Sequence, residues 1–277
     1  MSSATPPIPK LSSTILLLRD QKGAPGPALE MFMVERNHKI DFAEGALVFP
    51  GGKVEESDGD PRLLPYCRGD AKEVDVVQVA AIRETFEECG VLLARPRGSD
   101  LLVDADRLKK ISSRFSDELK AQSICMLDVV ESEDLELAFD LLVPFAHWIT
   151  PEFMPKRFDT HFFLVEAPPD HLAVHDGWES VDSLWTSIPN ALELEQSGRR
   201  TIIFPTLENV KKLGRSESVA EAIRNARADT IVTVLPKMTK DPDGTRMMEL
   251  PEAAGYDTVR APMSTLTGGP PAAKNPA

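Results

Sequence analysis

Glu84, Glu87 and Glu88 stand at i, i+3 and i+4 in the run RETFEECG at 83–90, a spacing that crowds three carboxylates onto one turn of a helix. With Ile82 as zero on a wheel of about 100° per residue, Val79, Phe86 and Cys89 fall within about 60° of it, and the three acids fall near roughly 200°, 140° and 240°. The acids therefore oppose the stripe that packs inward. Each like-charge pair at this spacing costs an isolated helix about 0.2–0.5 kcal/mol, and a solvated acidic face is the ordinary outcome. A hard divalent cation would offset the repulsion directly, since Mg²⁺ is typically held by one or two carboxylates, retained waters and substrate phosphate. Upstream, at 49–58, lies the glycine-rich turn FPGGKVEESD, with Gly51 and Gly52 at its centre.

These residues need elements to hold them. Residues 13–19 and 29–35 read as two antiparallel strands joined by the Gly/Pro-containing turn at 23–27, and 46–49 reads as a short third strand that runs into the glycine turn. From about 75 to 89 the apolar period becomes helical, and Gly90 is placed to stop the helix. Residues 104–122 and 133–142 read as two further helices, making a mostly helical excursion over about 104–142. Strands follow at 145–149 and 160–165, with another near 181–185. Helical patterning returns at 189–196, 205–213 and 218–226, and 231–235 reads as a late strand. Residues 1–11 read as a flexible N-terminus, 12–260 as one domain, and 261–277, rich in Pro, Gly, Ala and Thr, as a disordered tail.

The box at 83–91 and the turn before it resemble the signature of the Nudix family: Gly, five residues, Glu, seven residues, then Arg-Glu-apolar-any-Glu-Glu-any-Gly-apolar. Arg83, Glu84, Glu87, Glu88, Gly90 and Val91 match residue by residue, and Gly52 matches the opening glycine. Three positions depart. Asp58 stands where the family has Glu, Thr85 replaces an aliphatic residue, and 24 residues separate Asp58 from Arg83 instead of seven, an insertion within 59–75. The resemblance implies an α/β (α+β) fold, an α/β/α sandwich around a mixed sheet with extra helical insertions. It implies a Mg²⁺- or Mn²⁺-dependent hydrolase of a nucleotide diphosphate, with Glu84, Glu88 and the Gly52 carbonyl as metal ligands. Glu87 is a further ligand or the base that deprotonates the attacking water. Arg83 is grouped with the catalytic residues, anchoring the loop in preference to touching substrate.

A long insertion inside the signature resembles the branch that includes the peroxisomal coenzyme A diphosphatase and its bacterial relatives. So do the stretches 80–93, 148–163 and 202–210. The coenzyme A signature before the box fits at Gly45 and Phe49–Gly52, but Asp41 stands where that signature has Arg. The substrate expected is coenzyme A or an acyl-CoA, with ADP-ribose, dinucleotides or other nucleoside diphosphate conjugates as the alternative and a non-catalytic nucleotide-sensing module as a third reading. Gly51, Gly52, Arg36 and Arg157 are the candidate substrate contacts, and His38, Lys39 and Lys156 add cations beside them.

Composition bounds the rest. A net charge of −13 argues against a nucleic-acid surface, and no apolar run approaches the ~20 residues of a membrane span. Cys67, Cys89 and Cys125 fit neither a disulfide framework nor paired zinc ligands. His38, His147, His161, His171 and His175 show no metal-ligand spacing and read as surface or packing residues; Trp148, Trp178 and Trp185 read as core. With no secretory signal and no terminal Ser-Lys-Leu, the expected compartment is the cytoplasm. Oligomeric state is not legible.

Overall fold

A computed structural model describes residues 6–21, 23, 28–36, 45–69, 72–171, 173 and 180–265. The expectations placed on His38, Lys39, Asp41, His175, Trp178 and most of the tail fall outside them.

The first strand, β1 (Lys10–Asp20), is the axis of the molecule. Its run Ile15, Leu16, Leu17 and Leu18 is wholly buried, as befits a central strand covered on both faces. Residues 10 and 11, read as part of a flexible terminus, belong to this strand. β2 (Leu29–Arg36) lies antiparallel to it, with Leu18 opposite Met31. β3 (Ala46–Val48) follows β2, and β4 (Gly51–Lys53), which strand periodicity did not indicate, returns to pair with β1. After two 3₁₀ turns, Glu56–Gly59 and Pro61–Tyr66, comes α1 (Val76–Cys89).

The excursion holds β5 (Ala94–Pro96), α2 (Ala105–Lys120), α3 (Met126–Glu133) and β6 (Leu135–Leu137). The helix expected over 133–142 is a misreading. α3 ends at Glu133, Asp134 takes a left-handed conformation, and Leu135 and Leu137 alternate inward as strand residues against β5. The chain then returns to the sheet as β7 (Val143–Ile149), β8 (Phe158–Glu166) and β9 (Ser180–Ser187). Beyond come α4 (Ile188–Gln196), β10 (Thr201–Ile202), α5 (Phe204–Leu213), α6 (Val219–Ala228) and β11 (Thr233–Val234), the last shorter than expected. A small sheet of β12 (Lys237–Lys240), β13 (Arg246–Glu249) and β14 (Arg260–Pro262) follows, with a 3₁₀ turn at Met263–Thr265. Order thus continues past 261, where the tail was expected to begin.

The main sheet runs β10-β3-β2-β1-β8-β7-β11, with β4 also on β1 and β9 also on β2. It is mixed: β1 and β8 are parallel, as are β10 with β3 and β11 with β7, and its other pairs are antiparallel. Ile15, Leu17, Phe163 and Val165 pack with α1, α2 and α3 on one face, and Leu16, Leu18, Phe162 and Leu164 with α4, α5 and α6 on the other. This is the expected α/β/α sandwich. No helix among the described residues is long and apolar enough to cross a membrane.

Candidate active site

α1 is fixed at both ends. The Asp75 carboxylate accepts from the amides of Val77 and Gln78, and Gly90 takes a left-handed conformation whose N–H donates to the last carbonyls. Val79, Ile82, Phe86 and Cys89 are all buried to 1% exposure or less, so the inward stripe is as the wheel places it. Thr85 is buried too, and its hydroxyl donates to the Ala81 carbonyl one turn back at 2.7 Å. That internal bond lets a hydroxyl stand where an aliphatic side chain is usual.

Arg83 is the organising residue. Only 2% exposed, its guanidinium meets the equally buried Asp58 in a two-pronged ion pair, Nε to Oδ1 at 2.9 Å and Nη2 to Oδ2 at 3.0 Å. Nη2 also donates to the Lys53 carbonyl at 2.8 Å, while Nη1 reaches Glu84 at 3.1 Å and Glu87 at 3.4 Å. Asp58 in turn accepts from the Glu55 amide at 2.8 Å. The insertion therefore leaves Asp58 and Arg83 joined, and the fork-to-carboxylate geometry ties the turn to the helix. Every one of these Arg83 contacts is to the turn or to the neighbouring acids. The guanidinium also supplies part of the charge that offsets the crowding of the glutamates.

The glycine turn closes on the same cluster. The Gly51 N–H donates to Glu88 Oε2 at 2.9 Å. A Cβ on Gly51 would stand 2.2 Å from the Ser13 carbonyl, so backbone excludes a side chain there, and one on Gly52 would stand 2.2 Å from Glu84 Oε1 and would displace that carboxylate. Glu84 and Glu88 thus face the turn, Glu87 is held by the Arg83 guanidinium, and all three side chains are mostly shielded from water. Burial raises the Glu87 pKa; Arg83 opposes the shift, and Glu55 and Asp58 add to it.

Other candidates are placed differently. Arg36 is half-buried at the end of β2, and its Nε has no hydrogen-bond partner among the described residues. Arg157, expected to contact substrate, is buried and spends its guanidinium on backbone: Nε donates to the Thr150 carbonyl at 2.9 Å and Nη1 to the Pro7 carbonyl at 2.8 Å. Trp148 is core, whereas Trp185 is half-buried under the Arg19 guanidinium at 4.2 Å. His171 is buried, with Nε2 2.8 Å from the Val103 carbonyl. His147 and His161, read as unconnected, meet beside Asp159. They belong to separate strands, so only the strand register, which one-dimensional spacing does not carry, brings them together.

The NUDT19 Nudix domain family model matches residues 68–213, more than half of the chain and a span that contains all three glutamates and Arg83. The chain is 25% identical over 228 residues to the acyl-coenzyme A diphosphatase NUDT19 of Xenopus laevis, covering 66% of this chain and 59% of that one. It is 26% identical over 238 residues to the protein of that name from Gallus gallus, covering 66% and 62%. It therefore spans less than two thirds of the length of these curated relatives. The crystal structure of a Nudix hydrolase from Alicyclobacillus acidocaldarius is similar with a TM-score of 0.61 at 26% identity, over 78% of this chain and 96% of that one.

Proposed function

The chain belongs to the Nudix hydrolase family, and from that premise we propose that it is a diphosphatase dependent on Mg²⁺ or Mn²⁺. Its substrate is coenzyme A or an acyl-CoA, which it splits with one water into adenosine 3′,5′-bisphosphate and (acyl-)phosphopantetheine. The observation that carries this reading is that two acids of α1 meet the glycine turn, Glu84 against Gly52 and Glu88 on the Gly51 amide, with Glu87 sharing the Arg83 guanidinium with Glu84. Hard oxygen donors beside a glycine backbone suit a divalent cation, which Glu84, Glu88 and the Gly52 carbonyl would hold. Such a cation supplies charge neutralisation at the phosphoryl oxygens and a more acidic water.

The chain's own groups do the rest. Glu87, with its pKa raised by burial, is a stronger base than an ordinary carboxylate and is suited to take a proton from the attacking water. Arg83 and Asp58 hold the turn so that the line of attack is set before substrate arrives. Arg36, at the end of β2 with a buried Nε that has no partner among the described residues, is the cation we assign to the anionic substrate. The coenzyme A assignment draws on the names of the relatives and on the long insertion shared with that branch. Product analysis by mass spectrometry, with coenzyme A, acetyl-CoA, ADP-ribose and dinucleotides in Mg²⁺ or Mn²⁺, tests it. Formation of adenosine 3′,5′-bisphosphate from the coenzyme A substrates is the expected result. Turnover of ADP-ribose or dinucleotides with none of coenzyme A would overturn the assignment.

A further inference from the structure

One register row crosses the main sheet beside the glutamate cluster. Gly52 of β4 lies opposite Ser13 of β1, Ser13 beside His161 of β8, His161 opposite His147 of β7, and His147 beside Thr233 of β11. Strands lie about 4.8 Å apart, so His161 stands roughly 10 Å from Gly52 across the sheet. Because Phe163 and Val165 pack on the α1 face, the two-residue period of a strand puts His161 and Asp159 on that face too.

The side chains converge. His147 Nε2 is 2.5 Å from Asp159 Oδ1, and His161 Nε2 is 3.9 Å from the same oxygen, too far for a hydrogen bond. The three ligand atoms lie within 4.8 Å of one another, and the two rings stack with centroids 4.1 Å apart. All three residues are half-buried, so an ion could reach them. His147 Nδ1 is 2.8 Å from Thr233 Oγ1, the contact that fixes a metal-binding imidazole by its second nitrogen.

We propose that His147, Asp159 and His161 form a second cation site, separate from the glutamate cluster, for a zinc-like divalent ion. The donor set decides the class of ion: imidazole suits zinc and its first-row neighbours, whereas Mg²⁺ wants oxygen alone. Metal–ligand distances of about 2.0–2.2 Å in a tetrahedral site put neighbouring donors about 3.4 Å apart. The observed 2.5 and 3.9 Å bracket that value, and because the rings are stacked at 22°, one imidazole must turn out of the stack for both Nε2 lone pairs to meet on one ion. The two sites then sort ions by chemistry, oxygen-only at the glutamates and nitrogen-rich on β7 and β8.

The test uses the full chain stripped with EDTA and returned to excess Mg²⁺. Zn²⁺ titration by calorimetry should reveal one equivalent that Mg²⁺ does not displace, and Co²⁺ should give visible absorption characteristic of nitrogen ligation. His147→Gln and His161→Gln should each weaken the Zn²⁺ equivalent by about 100-fold, and Thr233→Val by about 10-fold. Glu84→Gln and Glu88→Gln should leave it unchanged. Zn²⁺-induced shifts of two histidine ring signals in the wild-type NMR spectrum give the same answer without any variant. Absence of a Zn²⁺ equivalent under excess Mg²⁺ would sink the proposal. So would an equivalent that disappears in Glu84→Gln and persists, with unshifted ring signals, in the histidine variants.

Discussion

At Glu87, burial outweighs the neighbouring guanidinium and raises the pKa above the ordinary carboxylate value of 4.5. A carboxyl whose folded pKa is raised contributes its full stability below the unfolded pKa and loses it as pH rises through the folded pKa. Glu87→Gln mimics the protonated form. In EDTA it should therefore unfold at a higher temperature than the wild type near pH 7.5, by a few tenths of a kcal/mol per relieved pair, and the gain should vanish below about pH 4. In Mg²⁺ the same change should slow turnover by at least about a hundredfold, the usual contribution of a general base. Thermal unfolding across pH alongside steady-state rates measures both, and a variant that is less stable at neutral pH yet fully active would refute the assignment. The wheel made the three glutamates look interchangeable in this respect. The structure separates them, because Glu88 accepts the Gly51 amide and Glu84 is packed on Gly52. The residues of the cluster were legible in the sequence; their different partners were not, because those partners come from a turn more than thirty residues upstream.

Among the elements, the 3₁₀ turn at Glu56–Gly59 is what lets an aspartate do the work of a longer acid. It folds Asp58 back so that one carboxylate takes the Glu55 amide and both prongs of Arg83. Asp58→Ala leaves a guanidinium buried without its main counter-charge and should cost about 3–5 kcal/mol. Chemical denaturation reads the loss, and hydrogen exchange should show amides of 51–58 opening first. A loss under about 1 kcal/mol would mean that Glu55 or water replaces Asp58. Elements with many turns of consistent period, such as α1, α2 and β1, can be read directly from the sequence. β6 could not, since a three-residue strand between Glu133 and Phe139 shows too little alternation to compete with a helical reading of EDLELAFDLL. The strands β12 and β13 also escaped, β12 being mostly exposed and β13 burying only Met248, too short a pattern to show alternation.

On the scale of the whole molecule, the C-terminal sheet is tied to the body by a chain of two hydrogen bonds. Trp148 Nε1–H donates to the Tyr256 hydroxyl at 2.8 Å, and that hydroxyl donates to Asn209 Oδ1 at 2.7 Å. All three residues are buried, and burial raises the tyrosine pKa. Tyr256→Phe keeps the ring and strands the indole N–H, which should cost about 1–3 kcal/mol. Urea unfolding followed by tryptophan fluorescence checks this, and wild-type stability would show that the ring packing alone secures the sheet. A second long-range dependence concerns time. β1 finds its parallel partner only when β8 exists, pairing residues 10–18 with residues 158–166. At about 5–20 residues per second a ribosome needs roughly 7–30 s to make the intervening chain. From about the middle of that interval α1 and its three acids are already synthesised, while Ile15–Leu18 remains an apolar strand with one edge unmatched. The nascent chain is then most open to pairing with a neighbour, and the wait ends when β8 emerges.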